Sequence, residues 1–443
     1  MLSVEPFLDR NIIKEKSNNI IIEETIPEFE KIVLLSNEEW EGIGNGYYTI
    51  INIDNTYKMY YRALQDMYAH KSWESTCLAI SKNGLDFEKK KYDFVNHNNN
   101  KMLDIENKNN NKIFHNKFCH NFFPYYSEKE GYYLGLSGTI DETDGLFLLK
   151  SLDGVHWGLV KKILDSSHVR PGYNHHNHFD TCNTITYNFN EDIYYILIRD
   201  NRPTIENNIH MGRRVQYIRM DKNFELLSNK CESIIINNNI SNYPIYSFGC
   251  CHYPNSKYYI SMPTLVDEKY IDKNWDQRKK IGQLLISRNC YEWNVVSENI
   301  YKKDMGSDRF NAIGIVPSAN KEKINFYIQN NFNLPKNNIE CYSFPMNRIN
   351  RIKCISNGYI KTDKINLISN KIRVNFETIK ESGYISINIY NQNNNLLLTS
   401  NILTGNHLEL PVIWKEEKEL DKGKYFIEFI LYNCILYSFS YVI

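Results

Sequence analysis

The sequence predicts an all-β protein, a five-bladed β-propeller over residues 1–348 followed by a small antiparallel β-sandwich over residues 349–443. Three observations carry this. Short strand-like segments dominate and amphipathic helical periodicity is hard to find. A unit of strand, polar turn, Tyr-rich strand and third strand recurs with starts about 60–80 residues apart. Around Ile349 to Tyr359 that repeat stops and a run of short alternating strands replaces it.

The units begin at Trp40, Cys119, His178, Tyr246 and Asp308. The first reaches Arg62 through YKMYYR, and the second runs through CHNFFPYYSEKEGYYLG. The third spans His178 to Arg199, the fourth is YSFGCCHYPNSKYYISMP, and the fifth is DRFNAIGIVPSANKEKINFYIQ. Three third strands end in a turn of one type: LAISKNGLDFEK, LLKSLDGVHWGLV and LLISRNCYEWNVV. Asn-Gly and Asp-Gly favour the positive φ of tight hairpins, and the Phe or Trp three residues on packs back on the blade. Five such units fit a propeller better than a sandwich array with coincidental hairpins. Asn19 to Glu23 is the candidate for the strand that closes the last blade. After residue 364 about seven short strands, from INLIS to LYSFSYVI, read as the sandwich.

Composition narrows the function. Formal charge is zero, with 52 basic and 52 acidic residues and no basic stripe, which argues against nucleic acid. Aromatics make up 14% of the chain and include 33 Tyr, which suit strands and sugar-binding clefts alike. The ten Cys show no CxxC pair, so they read as free buried thiols, with Cys250-Cys251 as neighbouring strand residues rather than a vicinal disulfide. MLSVEPFLDRNIIKEK has no apolar core of signal-peptide length and no 18-residue apolar run exists. The expectation is a cytoplasmic protein without a membrane partner. Asn-rich patches, such as Asn96 to Lys112, read as loop expansions.

The first strand of each blade lines the channel of a propeller, so polar residues at the strand starts converge on one funnel. The carboxylates there are Glu41, Asp180 and Asp308; the partners are Arg62, His120, Asn121, His178, Asn183, Arg199, Arg214 and Arg309. Glycoside cleavage needs one acid to protonate the leaving oxygen and a second carboxylate as base or nucleophile. Asp180 and Glu41 are the expected pair on an oligo- or polysaccharide, with Asp308 as a third acid. Bland readings stand beside these: Asp180 as a turn cap, Glu41 as a surface acid, Gly306-Ser307-Asp308 as an ordinary turn, Arg62 and Arg199 in structural ion pairs. His175, His176 and His178 do not predict a metal site, since neighbouring strand residues face opposite ways and no second ligand cluster matches them. No cofactor is expected. Two alternatives stay open: a carbohydrate-binding propeller without turnover, and a glycan phosphorylase using Arg199, Arg213, Arg214 and His178. The oligomeric state is left open.

With these residues in view, the chain resembles the five-bladed propeller glycoside hydrolases of the invertase and arabinanase type, and more closely their uncharacterised bacterial members with a C-terminal β-sandwich. The matching stretches include VEPFLDRNIIKE, WEG with YKMYYR, CLAISKNGLDFEK, GLFLLKSLDGVHW, HFDTCNTITYNFNEDIYYILIRD and RRVQYIRMDKNFE, and at the end RIKCISNGYIKT, SGYISINIY and LYSFSYVI. FDTCNT and the Ser-x-Asp-Gly-x-x-Trp turn are the most specific. The resemblance implies acids on the first three blades. Here those blades offer Glu41, then His120-Asn121, then Asp180, so the second-blade acid is missing, as are WMNDPNG and an Arg-Asp-Pro triplet.

Overall fold

The computed structural model describes residues 2–38, 40–64, 74–92, 111–114, 118–169, 179–201, 213–237, 244–266, 279–301 and 309–442. Within them the protein is all-β, with one α-helical turn at Ile140–Thr143. Of the site residues expected from sequence, Asp308 and His178 lie outside the described residues, as do His175 and His176.

Six sheets follow one another along the described residues: five larger ones, and a three-stranded sheet of Ile245–Ser247, Thr264–Val266 and Lys280–Gly282 whose strands alternate along the chain with those of the fourth. The first holds Gly46–Ile53, Thr56–Leu64, Glu74–Ser81 and Lys112–Phe114; the second holds Phe123–Ser127, Tyr132–Ser137, Leu146–Ser151 and Gly158–Leu164. The third is Thr184–Asn188, Ile193–Asn201, Arg213–Met220 and Glu232–Ser233. The fourth is Cys250–His252, Tyr259–Ser261, Leu284–Ser287 and Glu292–Ser297, edged by Ile235–Asn237. The fifth joins Lys323–Asn330 and Asn338–Pro345 to short strands at Phe310–Asn311 and Val316–Pro317. Its outer partner is Glu28–Leu35, registered as Leu35↔Asn338. This corrects the expected closing strand, because Ile20–Glu24 pairs instead with Asn350–Thr362. The run EFEKIVLL supplies the longer strand, and its Val33 and Leu34 are buried against the first and fifth sheets.

Apolar cores lie between consecutive sheets. Tyr60 and Leu78 of the first pack with Phe122 and Trp157 of the second. Leu134 and Leu148 meet Ile185 and Ile196 across the second and third. Leu197 and Tyr217 meet Leu285 and Trp293 across the third and fourth, and Ile260 and Ile286 meet Ile324 and Phe326 across the fourth and fifth. Ile339 and Cys341 of the fifth return to Tyr57 and Met59 of the first. Alternation explains this: successive side chains of a strand face opposite sides, so each sheet feeds two cores.

The three predicted turns share one construction. Ser81 Oγ accepts from Gly84 N at 3.0 Å, Ser151 Oγ from Gly154 N at 2.8 Å and Ser287 Oγ from Cys290 N at 2.9 Å. Asn83, Asp153 and Asn289 cap the next amides through Oδ1. The turn residue takes φ of +75° at Gly84 and Gly154 and +69° at Cys290. The following Trp157 and Trp293 are fully buried.

A seventh, ten-stranded sheet combines strands after residue 349, among them Asn350–Thr362 and Gly423–Val442, with Leu2–Glu5, Ile13–Lys16 and Ile20–Glu24. Leu2 pairs with Val442 and Glu5 with Phe439, so the first strands belong by pairing to the terminal sheet. Its core gathers Phe7, Ile352, Val374, Ile387, Phe429 and Phe439. All ten Cys are free, and none but Cys251 has more than slight exposure.

Candidate functional site

Polar residues meet where the first three sheets begin. Tyr47, Asn121 and Phe179 stand at these strand starts with φ of +56°, +59° and +65°. For Tyr and Phe this left-handed backbone is costly, about 1–3 kcal/mol each, and such strain collects where a chain holds side chains for a purpose. At Tyr47 it coincides with a register shift between Gly46 and Thr49.

Asp180, just ahead of Thr184–Asn188, is the centre. Its Oδ1 lies 2.9 Å from His120 Nε2 and accepts from Asn121 Nδ2 at 3.3 Å. Its Oδ2 lies 3.5 Å from Arg199, and 37% of its side chain is exposed. Burial alone would raise this carboxyl, but the His120 hydrogen bond, the Arg199 charge and the Asn121 amide hold it well below the carboxylate range. His120 Nδ1 in turn lies 2.9 Å from Glu74 Oε2, and Glu74 Oε1 lies 3.6 Å from Arg62. Burial pulls the imidazole down, yet the hydrogen bonds to Asp180 and Glu74 outweigh it and lift His120 to about 9. One imidazolium therefore bridges two carboxylates at neutral pH, and the chain Arg62–Glu74–His120–Asp180–Arg199 crosses three sheets.

Aromatic rings steady the cations. The Tyr47 and Tyr246 hydroxyls are 3.4 Å apart. Arg62 sits 4.7 Å from the Tyr47 ring, while Arg199 and Arg213 sit 5.8 and 5.3 Å from that of Tyr246. Arg199 also donates to the Tyr246 carbonyl at 3.2 Å. Beside this pair a recess of about 430 Å³ opens to solvent, lined by Gly46, Tyr47, Cys182, Tyr246, Phe310 and Phe332. Burial pushes the Cys182 thiol up to about 12, so it is no nucleophile.

The structure thus brings together Asp180, His120, Asn121, Arg62 and Arg199 of the expected residues. Asn183 stands behind them, donating to the Phe179 and Thr181 carbonyls at 2.9 and 3.2 Å, and braces the turn that carries Asp180. Arg214 lies beside Arg199 in a smaller recess with Thr181 and Tyr246. Arg309 joins Asn330 and Glu340 within the fifth sheet instead.

Glu41 is not part of the cluster, which corrects its expected pairing with Asp180. It is fully buried and accepts from Tyr61 Oη at 2.5 Å, Asn37 and Glu38 amides at 2.9 and 3.0 Å, and Lys89 Nζ at 2.6 Å. Four donors saturate a carboxylate that pins its own loop. The carboxylate missed from sequence is Glu74, whose side chain is 6% exposed. It opens a third strand, whereas attention to first strands alone passes over it; the antiparallel register Leu64↔Glu74 brings it level with the end of the Arg62 strand. Tyr47 and Tyr246 carried no signal among so many Tyr.

No protein-family model matches the chain, and no curated protein does either. Similar solved structures include an N-acetylgalactosamine deacetylase from F. plautii in complex with blood group B trisaccharide, at 10% identity and TM-score 0.47, covering 73% of this chain and 95% of that one. A glycoside hydrolase family 43 arabinoxylan arabinofuranohydrolase from Bacillus subtilis in complex with cellotetraose is 8% identical with TM-score 0.42, covering 90% and 95%. A thermostable family-43 glycoside hydrolase is 12% identical with TM-score 0.44, covering 68% and 89%. Glycoside hydrolases are thus among the solved structures similar to this chain. Identities this low leave the site to be read from its own residues.

Proposed function

We propose that the chain is a five-bladed β-propeller, residues 28–348, docked to a β-sandwich built from residues 349–443 and the first strands, and that it cleaves a glycosidic bond of an oligo- or polysaccharide at Asp180. Cores shared by successive sheets, the fifth returning to the first, support the propeller. One observation carries the function: Asp180 is held ionised by His120, Asn121 and Arg199 while its side chain stays partly in solvent. An ionised, oriented carboxylate serves as base toward water or as nucleophile toward the anomeric carbon. Glu74 acts through His120 as a positioning residue, fixing the ring that orients Asp180. Asp308, which the sequence offers only as a third acid and which lies outside the described residues, is the proton donor in this proposal.

The test is turnover of a panel of aryl glycosides and polysaccharides by the native chain and by Asp180→Asn. Loss of about 10²–10⁴-fold in the variant, with the fold intact by circular dichroism, is expected for a removed base. Undiminished turnover overturns the assignment.

A second reading, glycan binding without turnover, is favoured by a specific observation. Among the described residues of the cluster Asp180 is the carboxylate with substantial exposure, since Glu74 is buried behind His120. Saturable glycan binding with no turnover across the panel would select it.

A further inference from the structure

We infer that the Asp180 cluster holds an oxyanion of its ligand, a phosphate or a sugar carboxylate, between Arg62, Arg199 and Arg213. This rests on the reading that the cluster is the glycan site and names the class of glycan it takes.

Charge is the first ground. Arg62, Arg199 and protonated His120 set three positive charges against two negative ones, Glu74 and Asp180, leaving an excess of one among these five groups. Arg199 is 3% exposed and the Arg62 side chain 11%. Excess charge taken out of water is costly unless a counter-charge meets it. A neutral sugar offers hydroxyls but no compensating charge.

Hydrogen-bonding capacity is the second. The Nε atoms of Arg62 and Arg199 are buried and make no hydrogen bond among the described residues. A guanidinium fork matches the two oxygens of a carboxylate or phosphate, and ring stacking holds it in plane beforehand. The Tyr47 and Tyr246 rings lie 4.7–5.8 Å from the three guanidinium carbons, and both also line the solvent-open recess.

The experiment is calorimetric titration of the full chain with inorganic phosphate, glucuronate and, as neutral control, glucose. At least one anion is expected to bind one per chain, more weakly as salt rises, with glucose showing no comparable affinity. Phosphate alone points to a phosphate or phosphoryl group, glucuronate alone to a uronic sugar, and both to the oxyanion itself. Arg199→Gln and Arg62→Gln are expected to weaken the anion at least tenfold, Arg199→Lys less so. Asp180→Asn, which removes a negative charge, is expected to tighten it while turnover falls. Should the Gln variants not fold, the salt dependence of the native chain decides. The inference is overturned if neither anion binds, if glucose binds as tightly, or if binding ignores salt and the folded Arg variants. Anion binding without glycan turnover would keep this inference and remove the cleavage reading; turnover of neutral glycans without anion binding would do the reverse.

Discussion

His120 Nε2 stands 2.9 Å from Asp180 Oδ1 while Nδ1 of the same ring stands 2.9 Å from Glu74 Oε2. The ring is thereby raised from its ordinary 6.5 to about 9. Because the folded value lies above the ordinary one, the stabilisation is complete below about pH 6.5 and is lost as pH rises through about 9. At ~1.4 kcal/mol per pKa unit the loss is about 3 kcal/mol. Melting of the native chain should therefore decline across this window, and His120→Gln should flatten the decline. An equal decline in the variant would show that the imidazolium is not its source.

Glu41→Gln separates the two acids that the sequence placed together. The substitution leaves Lys89, 12% exposed, without its carboxylate. Breaking a buried pair on one side costs about 3–5 kcal/mol. The denaturation midpoint should fall accordingly while glycan turnover by the folded fraction persists. Turnover lost at full stability would return Glu41 to the site.

The legible part of this fold was the part written locally. Ser-x-Asp-Gly turns, Tyr-rich second strands and strand starts are short-range signals, and Asp180, His120, Asn121, Arg62 and Arg199 are found together because the starts of first strands and the ends of second strands meet. Glu74 and the Glu28–Leu35 strand were hidden for one physical reason: each is defined by its partner across a sheet, Leu64 in one case and the strand Asn338–Pro345 in the other. Glu41 misled because a carboxylate beside Trp40 at a strand start reads the same whether it faces a funnel or four donors of its own neighbourhood.

Gly154 tests the contact between the first two sheets. Its φ is +75°, and a Cβ there would press on Tyr60 Oη, which donates to the Gly154 carbonyl at 2.8 Å. Gly154→Ala should cost about 1–3 kcal/mol from backbone strain alone. Adding Tyr60→Phe should recover part of any further loss, since it removes the obstructing oxygen. Chemical denaturation of the single and double variants measures both. Additive losses would mean that Tyr60 does not press on the turn.

Glu5 tests the junction between the terminal sheet and the fourth sheet. It is buried, takes the Tyr258 hydroxyl at 2.8 Å from Oε2, and faces Arg288 at 4.0 Å. Burial raises it from 4.5 to about 7, against the opposing pull of Arg288 and Tyr258. A carboxyl raised in the folded state stabilises fully below about pH 4.5, and that contribution is lost as pH climbs through about 7. Gln resembles the protonated acid, so Glu5→Gln should match the native chain near pH 4 and exceed it by about 1–3 kcal/mol at pH 8, the upper value being the full shift at ~1.4 kcal/mol per unit. Arg288, 47% exposed and anchored to Asp9 at 2.8 Å, keeps a partner in the variant, which limits the offsetting loss. Urea unfolding at the two pH values distinguishes the cases: a variant less stable at pH 8 would mean that the Glu5 carboxylate is held charged by Arg288 and is not a burden on the fold.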